Sequence, residues 1–494
     1  MSTAITANEI NKSILESGDK RLVNTDLLPV EKNKKDWTWL NMSTVWMGMV
    51  HNIVAYEAAA GLIAMGMNAM QAILCVGAAY MCLFLAMWFN AKAGTKYGIP
   101  FCVIIRSSFG PFGAFIPVIV RGFVAIFWFS IQLYAGSQAI NAIIGTLWTP
   151  WNDLTYSILG MGVNGWISLA LFWVLTALVM NHGVHRIRNF ELVAGPLVLL
   201  VGAAAVVWAI NVSGGLGPII SAPSHLKAGW PGYLDFAIGM SGILGIWTTF
   251  AVNIPDISRF VKSDRDQVIG QLVGLPLTAI VFTTMSVIVT SASITLFGHA
   301  IWDPIQLLIK INDPVATIIG GVTIIIATLS VNVAANILPA AYDLVNLFPR
   351  KLNFITASVV VMIIGVLYAP WTWFQNAGTI FEALGMIGGL LGPVTGIMLT
   401  DYFYTHRQSY DVEKLYKLQP ELGKSGINYA GVGAMFIGGG LSIIGFFFEP
   451  LKIISEFSWF VGVFSGAILY FAFDKICLSL SRRNLTIPES GYVS

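Results

Sequence analysis

Charge is scarce in this 494-residue chain: only 11% of its residues are Asp, Glu, Lys or Arg, against about 25% in an ordinary soluble domain. Together with 56% hydrophobic residues and a mean hydropathy of +0.75, that shortage excludes a soluble globular protein and points to a polytopic membrane protein. Cysteine is scarce as well. Cys75, Cys82, Cys102 and Cys477 show no metal-ligand spacing, and three of them lie in or beside apolar runs, where a thiol behaves as a small hydrophobe. Neither a metal site nor a structural disulfide is expected. No basic cluster suits nucleic acid, since 27 Lys and Arg stand against 25 Asp and Glu. A nucleophile elbow, metal-binding pairs and a polar catalytic domain are all lacking, so an enzyme is not expected and no cofactor is implied. The first apolar run begins near Trp37, behind a polar leader, which argues against a cleavable signal peptide of the usual form.

What is present is a series of apolar runs of membrane-spanning length. Twelve are read, near 38–63, 69–91, 114–142, 164–184, 191–213, 235–259, 267–297, 314–340, 354–374, 377–402, 428–448 and 453–477. The expected fold is all-α, with twelve transmembrane helices forming one membrane domain over 37–478, flanked by polar tails at 1–36 and 479–494. Lys and Arg fall mostly on one side: Lys32, Lys34 and Lys35 in the leader, then Lys92 and Lys96, Arg186 and Arg188, Arg259 and Lys262, Arg350 and Lys351, Arg407 to Lys424, and Arg482 with Arg483. The other side carries Lys227, Lys310 and Lys452. Positive loops stay cytoplasmic, so both termini are expected in the cytoplasm of a cell (plasma or inner) membrane protein.

Polar and helix-breaking residues inside such runs are expensive and therefore functional candidates. In the third run Trp128 and Gln132 lie four residues apart and share a helical face, a flat ring beside an amide. They suit a flat, polar, uncharged molecule, or else lipid packing and an interhelical bond. In the first run Gly48 precedes His51 and Asn52; a helix interrupted there would free carbonyls for a cation and side chains for a substrate, while a continuous helix would use both residues as glue. Glu57 reads either as a proton carrier or as a residue near the outer interface. The sixth run has Gly239, Gly242 and Gly245 before Ile246, Trp247 and Asn253-Ile-Pro-Asp256. Interruptions in the first and sixth runs are the expected mark of a five-plus-five inverted repeat, about 37–213 and 235–403, followed by two extra helices over about 428–477. The eighth run adds Ser330, Asn332 and Asn336, the two amides on one face. A site lined by runs one, three, six and eight follows. In the tenth, Gly385, Gly388 and Gly389 suit a bending gate or tight packing.

These residues carry a family resemblance. Trp46-Met-Gly-Met-Val-His-Asn52, Gly94-Thr-Lys-Tyr-Gly-Ile-Pro100, Phe127-Trp-Phe-Ser-Ile-Gln132, Gly245-Ile-Trp247, Ser330-Val-Asn-Val-Ala-Ala-Asn336 and Gly392-Pro-Val-Thr-Gly396 resemble nucleobase-cation-symport family 1 through essentially all twelve runs. Its bacterial allantoin permease and hydantoin transporter branches look most similar. The resemblance implies a secondary active transporter importing allantoin, or a related hydantoin, uracil or other nucleobase ring, by alternating access. Trp128 would stack on the ring, Trp247 would meet it edge-on, Gln132 and Asn336 would read its amide and carbonyl groups, the backbone at Gly245 and Ile246 would add a hydrogen bond, and Asn52 would stand where the hydantoin transporter has a Gln. A monomer with a proton or sodium ion as its coupling partner is implied.

The resemblance also carries a cation site, at positions corresponding to Gly48, His51, Ala327, Ser330 and Val331. In sodium-coupled members two adjacent hydroxyls on the eighth helix hold the ion; Val331 has no side-chain oxygen, and losing one ligand weakens the hold on a hard cation. Proton coupling is expected instead, with His51 or Glu57 as carrier. A channel is disfavoured because the polar groups sit at one depth rather than along a pore. A sodium-coupled amino-acid or amine transporter of the same fold would leave Trp128 and Gln132 without these roles.

Overall fold

The computed structural model describes residues 7–180, 184–217, 223–299, 301, 303–372 and 377–485. Among them, eleven helices are long and apolar enough to cross a membrane. The first apolar run is not one of the eleven because it is divided into Trp39–Val50 and Ile53–Ala64. Each half has 12 residues, about 18 Å of helix against a hydrocarbon thickness of about 30 Å. Counting this divided helix as the first span, the others follow as Ala69–Tyr97, Phe115–Leu147, Val163–Met180, Ile187–Val212, Trp230–Asn253, Asp264–Phe297, Pro314–Leu347, Phe354–Thr372, Gly385–Thr405, Tyr429–Phe446 and Ser458–Cys477. Several outrun their apolar segments: the second ends at Tyr97 and the eighth at Leu347. Their ends bring in polar residues that are buried inside the protein, among them Thr95, Asp343 and Asn346, so hydrophobic length underestimates helix length. The ends of the chain, 1–6 and 486–494, and the segment 181–183 closing the fourth expected run lie outside the described residues.

Local sequence explains where helices start and stop. Asn68 and Gln71 exchange side-chain-to-backbone hydrogen bonds at the start of the second span, and Gly98, at φ 73°, closes it in the left-handed conformation. Pro339 follows a π-helical turn at Asn332–Ile337 in the eighth span, and Pro276 lies inside another at Val273–Leu277 in the seventh. Proline cannot donate the usual backbone bond, and a widened turn accommodates that loss.

The interruption expected in the sixth span is not found at its glycines. Trp230–Asn253 is helical throughout, past Gly239, Gly242 and Gly245, and the chain turns only at Ile254-Pro255. Glycine permits a break without imposing one, because it retains its N–H donor. The first span does break, and its break is held by a side chain. Asn52 Oδ1 accepts the Ala55 N–H (2.9 Å) while its Nδ2 donates to the Met49 carbonyl (3.1 Å).

Helix packing repeats itself across the first ten spans. The first span lies along the fifth, as the sixth lies along the tenth; the third packs on the fourth, as the eighth packs on the ninth. Third meets eighth, second meets seventh and fourth meets ninth, the pairings that two equivalent halves related by a twofold axis produce. The eleventh and twelfth spans pack on each other and on the tenth.

At one end the leader is packed rather than free. Ile14, Leu22 and Leu27 are fully buried. Asn24 Nδ2 donates to the Pro349 and Leu352 carbonyls, the Val30 N–H to the Gly98 carbonyl, and Lys35 Nζ to the Thr95 carbonyl. Buried Arg106 donates to the carbonyls of Leu22 and Leu415 and to Asn346 Oδ1. Deeper at the same end, Arg121 of the third span donates to Asp256 Oδ2 (2.9 Å) and to Asp343 Oδ2 of the eighth (2.5 Å). The Lys- and Arg-bearing segments of the leader, 92–106, 259 and 349–352 thus gather on one side.

Candidate functional site

The break in the first span, the middle of the third, the glycine-rich sixth and the π-helical turn of the eighth converge on one small cavity. It is lined by Asn52, Trp128, Gln132, Ile246, Trp247 and Asn336, together with Thr249, Phe250, Val331 and Ala335. Six of the seven residues read as substrate-binding are therefore neighbours. The seventh, Gly245, lines an adjoining larger cavity of about 580 Å³ with Gly239, Gly242, Gly385 and Lys452, and its carbonyl accepts the Thr248 hydroxyl (3.3 Å).

The cavity is tight. Its volume is about 20 Å³, room for about one water, so a bound ring must push its walls apart. All of the six are buried, and buried polar groups need partners. Gln132 Oε1 has none among the described residues. Asn336 Nδ2 donates to Asn332 Oδ1 (3.0 Å), and Asn332 Nδ2 has no partner among the described residues. Unmet amide donors and acceptors around an apolar, ring-bearing wall suit a planar molecule with alternating N–H and C=O groups. Trp247 meets Trp46 and Tyr80 edge-on, at ring separations of 6.4 and 5.7 Å, and packs against a tilted Phe250 ring at 5.3 Å. Asn52 lines the cavity and has a second, structural task. Both ends of its amide serve the helix break, so its first role here is to cap the second half-helix.

The positions read as a cation site lie just beside this cavity, with one residue among them that sequence reasoning missed. Glu191, fully buried on the fifth span, accepts a hydrogen bond from Ser330 Oγ (2.5 Å). A Cβ at Gly48 would stand 2.1 Å from Glu191 Oε2 and 2.2 Å from Ser330 Oγ, so only glycine leaves room for this contact. Gly195, one turn beyond Glu191, lets the fifth span approach the first: a Cβ there would meet the Thr44 carbonyl at 2.8 Å. Val331 faces the substrate cavity. Ala327 lines, with His51, Asn52 and Thr328, an apolar crevice of about 490 Å³ between the first, fifth, seventh and eighth spans. His51 bonds through Nδ1 to the Met47 carbonyl, rests edge-on against Phe282 at 4.6 Å, and keeps Nε2 buried with no partner among the described residues. Glu57 lies on the second half-helix, its side chain outside those described. The signal for Glu191 was present as a lone acid in Asn-Phe-Glu-Leu-Val-Ala-Gly. It was overlooked because the apolar run begins at that residue, whereas the helix begins at Val184.

Comparison with known proteins decides the family. Residues 29–465 match the family model described as permease for cytosine/purines, uracil, thiamine, allantoin. The chain belongs to this permease family. It is 40% identical to the allantoin permease of Bacillus subtilis (strain 168) over 92% of this chain and 94% of the relative. Identity to the putative allantoin permease of Escherichia coli (strain K12) is 30%, over 91% and 94%. Among solved structures it resembles a nucleobase-cation-symport-1 family transporter in a closed conformation with bromovinylhydantoin bound, with a TM-score of 0.79 and 23% identity, over 93% of this chain and 96% of that one. The permease is accordingly a multi-pass membrane transporter of the nucleobase-cation-symport family 1 fold, and the relatives that it matches are transporters rather than enzymes.

Proposed function

We propose that this permease imports allantoin by alternating access, coupled to protons, with both termini in the cytoplasm. The observation that carries the reading is the convergence of Trp128, Gln132, Trp247 and Asn336 on one cavity, in a chain whose relatives include allantoin permeases. The hydantoin ring of allantoin is flat and uncharged. It would lie on Trp128 with its edge toward Gln132 and Asn336, while Trp247 and the backbone at Gly245 and Ile246 close the far side. Side-chain amides match such a ring in both senses, as donors to its carbonyls and acceptors from its N–H groups.

Alternating access would move the first, second, sixth and seventh spans as one body against the third, fourth, eighth and ninth, with the fifth and tenth as gates. The tightness of the cavity supports a cycle in which a ring is fully enclosed before release on the other side. Coupling to a proton rather than to sodium is supported by Val331, which offers no oxygen where sodium-coupled members carry a second hydroxyl. Cytoplasmic termini are supported by the gathering of Lys- and Arg-bearing segments at the end where the leader packs.

Equilibrium binding of allantoin to the purified protein tests the site. Gln132→Ala removes one partner and leaves a ring group buried and unpaired, so affinity should fall by about 1–3 kcal/mol, roughly 5- to 150-fold in Kd. An unchanged Kd would place the ring elsewhere.

A further inference from the structure

Among the described residues Glu191 meets no counter-charge. Its Oε2 accepts the Ser330 hydroxyl, and its Oε1 has no partner among the described residues. The helices packed along the fifth span face it with nothing ionisable: Trp39–Val50, Val163–Met180, Thr278–Phe297 and Pro314–Val331 contain no Asp, Glu, Lys, Arg, His, Cys or Tyr. His51, just past the first of these, is held by the Met47 carbonyl. On the fifth span itself, Arg188 pairs with Asp36, while the side chains of His185 and Arg186 lie outside the described residues. An isolated carboxylate in such surroundings is stable only with a cation bound to it. A Cβ at Gly48 would stand 2.1 Å from Glu191 Oε2 and 2.2 Å from Ser330 Oγ, so the three meet too closely there to admit a further heavy atom, and a proton is the one cation that needs no such room.

We infer that Glu191 carries the coupling proton of this permease. The carboxyl group bridges three moving parts. Gly48 belongs to the body proposed to rock, Ser330 to the body proposed to stay, and Glu191 to the gate between them. Neutral Glu191 lets the three pack dry, while ionised Glu191 favours a state in which water reaches it, so protonation biases the equilibrium toward closure. Substrate biases it in the same direction, because Val331, the residue after Ser330, lines the substrate cavity. Two ligands that favour one state help each other bind. The proton adds to the carboxylate from the outer solvent and leaves to the inner solvent after the site reopens, with no other reactant.

This inference rests on the transport reading above, and one experiment separates the two. The full-length protein is reconstituted in sodium-free liposomes with an alkaline interior and given labelled allantoin. One coupled proton sustains about tenfold accumulation for each unit of pH gradient. Glu191→Gln should abolish accumulation while still exchanging labelled for unlabelled allantoin, at a rate no longer dependent on pH; Glu191→Asp should accumulate with a displaced pH midpoint. Accumulation by Glu191→Gln with the wild-type pH profile overturns the assignment, as does wild-type accumulation that needs a sodium gradient. Should Glu191→Gln lose exchange too, an unmoved midpoint in Glu191→Asp overturns it and a displaced one upholds it. Absence of exchange by the wild type would sink the transport reading and the inference with it.

Discussion

Asn52 shows how one side chain can serve two ends. The resemblance places it among the substrate readers, yet its carbonyl oxygen caps Ile53–Ala64 and its amide nitrogen ties back to Met49. Replacing an N-cap Asn by Ala costs about 0.5–2 kcal/mol, whereas Ser preserves the cap. Asn52→Ala should therefore lower the Tm of the purified protein and Asn52→Ser should largely restore it. If both lower allantoin affinity equally at unchanged Tm, Asn52 acts as a reader and not as a cap. Much of the site was legible in sequence because Trp128, Gln132 and Asn336 are amphipathic or polar residues in otherwise apolar runs, where each demands an explanation. Glu191 escaped because hydropathy marks where lipid-like sequence begins, not where the helix begins. The cap formed by Asn52 escaped because it depends on a break whose geometry no spacing specifies.

Among elements, the first and sixth spans were read alike and turned out differently. The first is divided where His51 leaves the helical conformation (φ −80°, ψ 79°) and Asn52 is extended, while the sixth stays helical past three glycines. Of these, Gly239 admits a neighbour, since a Cβ there would stand 2.7 Å from Leu62, whereas Gly242 faces open space. The tenth span is similar. A Cβ at Gly385 would press on Phe446 at 2.7 Å and one at Gly389 on Ile443 at 2.7 Å, so these two glycines serve close packing against the neighbouring helix. Gly388 alone of the three has room, with Thr248 at 3.5 Å and Gly245 at 3.8 Å across the contact with the sixth span. Gly388→Ala should thus be tolerated. Gly388→Leu should slow turnover more than it weakens allantoin binding, if the tenth span slides on the sixth as a gate; equal losses in the two would mark Gly388 as packing only. The order of the spans was legible because lipid imposes a length on each apolar run. Their ends were not, since they bring in polar residues such as Thr95, Asp343 and Asn346 that are buried against other segments.

At the scale of the whole molecule, one end is fastened far more heavily than a polar tail suggests. The leader crosses the ends of several spans, and Arg121 joins the third and eighth spans to Asp256 beyond the sixth, a bond between the two bodies proposed to move. Leu22 is fully buried beneath Arg106 and the segment around Leu415. Leu22→Ala should cost about 2–5 kcal/mol, read as a lower Tm in detergent; an unchanged Tm would show the leader to be dispensable for stability. Under the alternating access proposed above, a chain fastened at this end and enclosing its site would release its cargo by unfastening that end. Uptake of labelled allantoin by cells expressing the protein tests this most directly, with hydantoins, uracil, cytosine and purines as competitors, in sodium and in choline buffers. Saturable uptake that is displaced by ring amides, persists in choline and collapses with an uncoupler is the predicted result. Uptake displaced only by charged amino acids or amines, or lost whenever sodium is withdrawn, would contradict it.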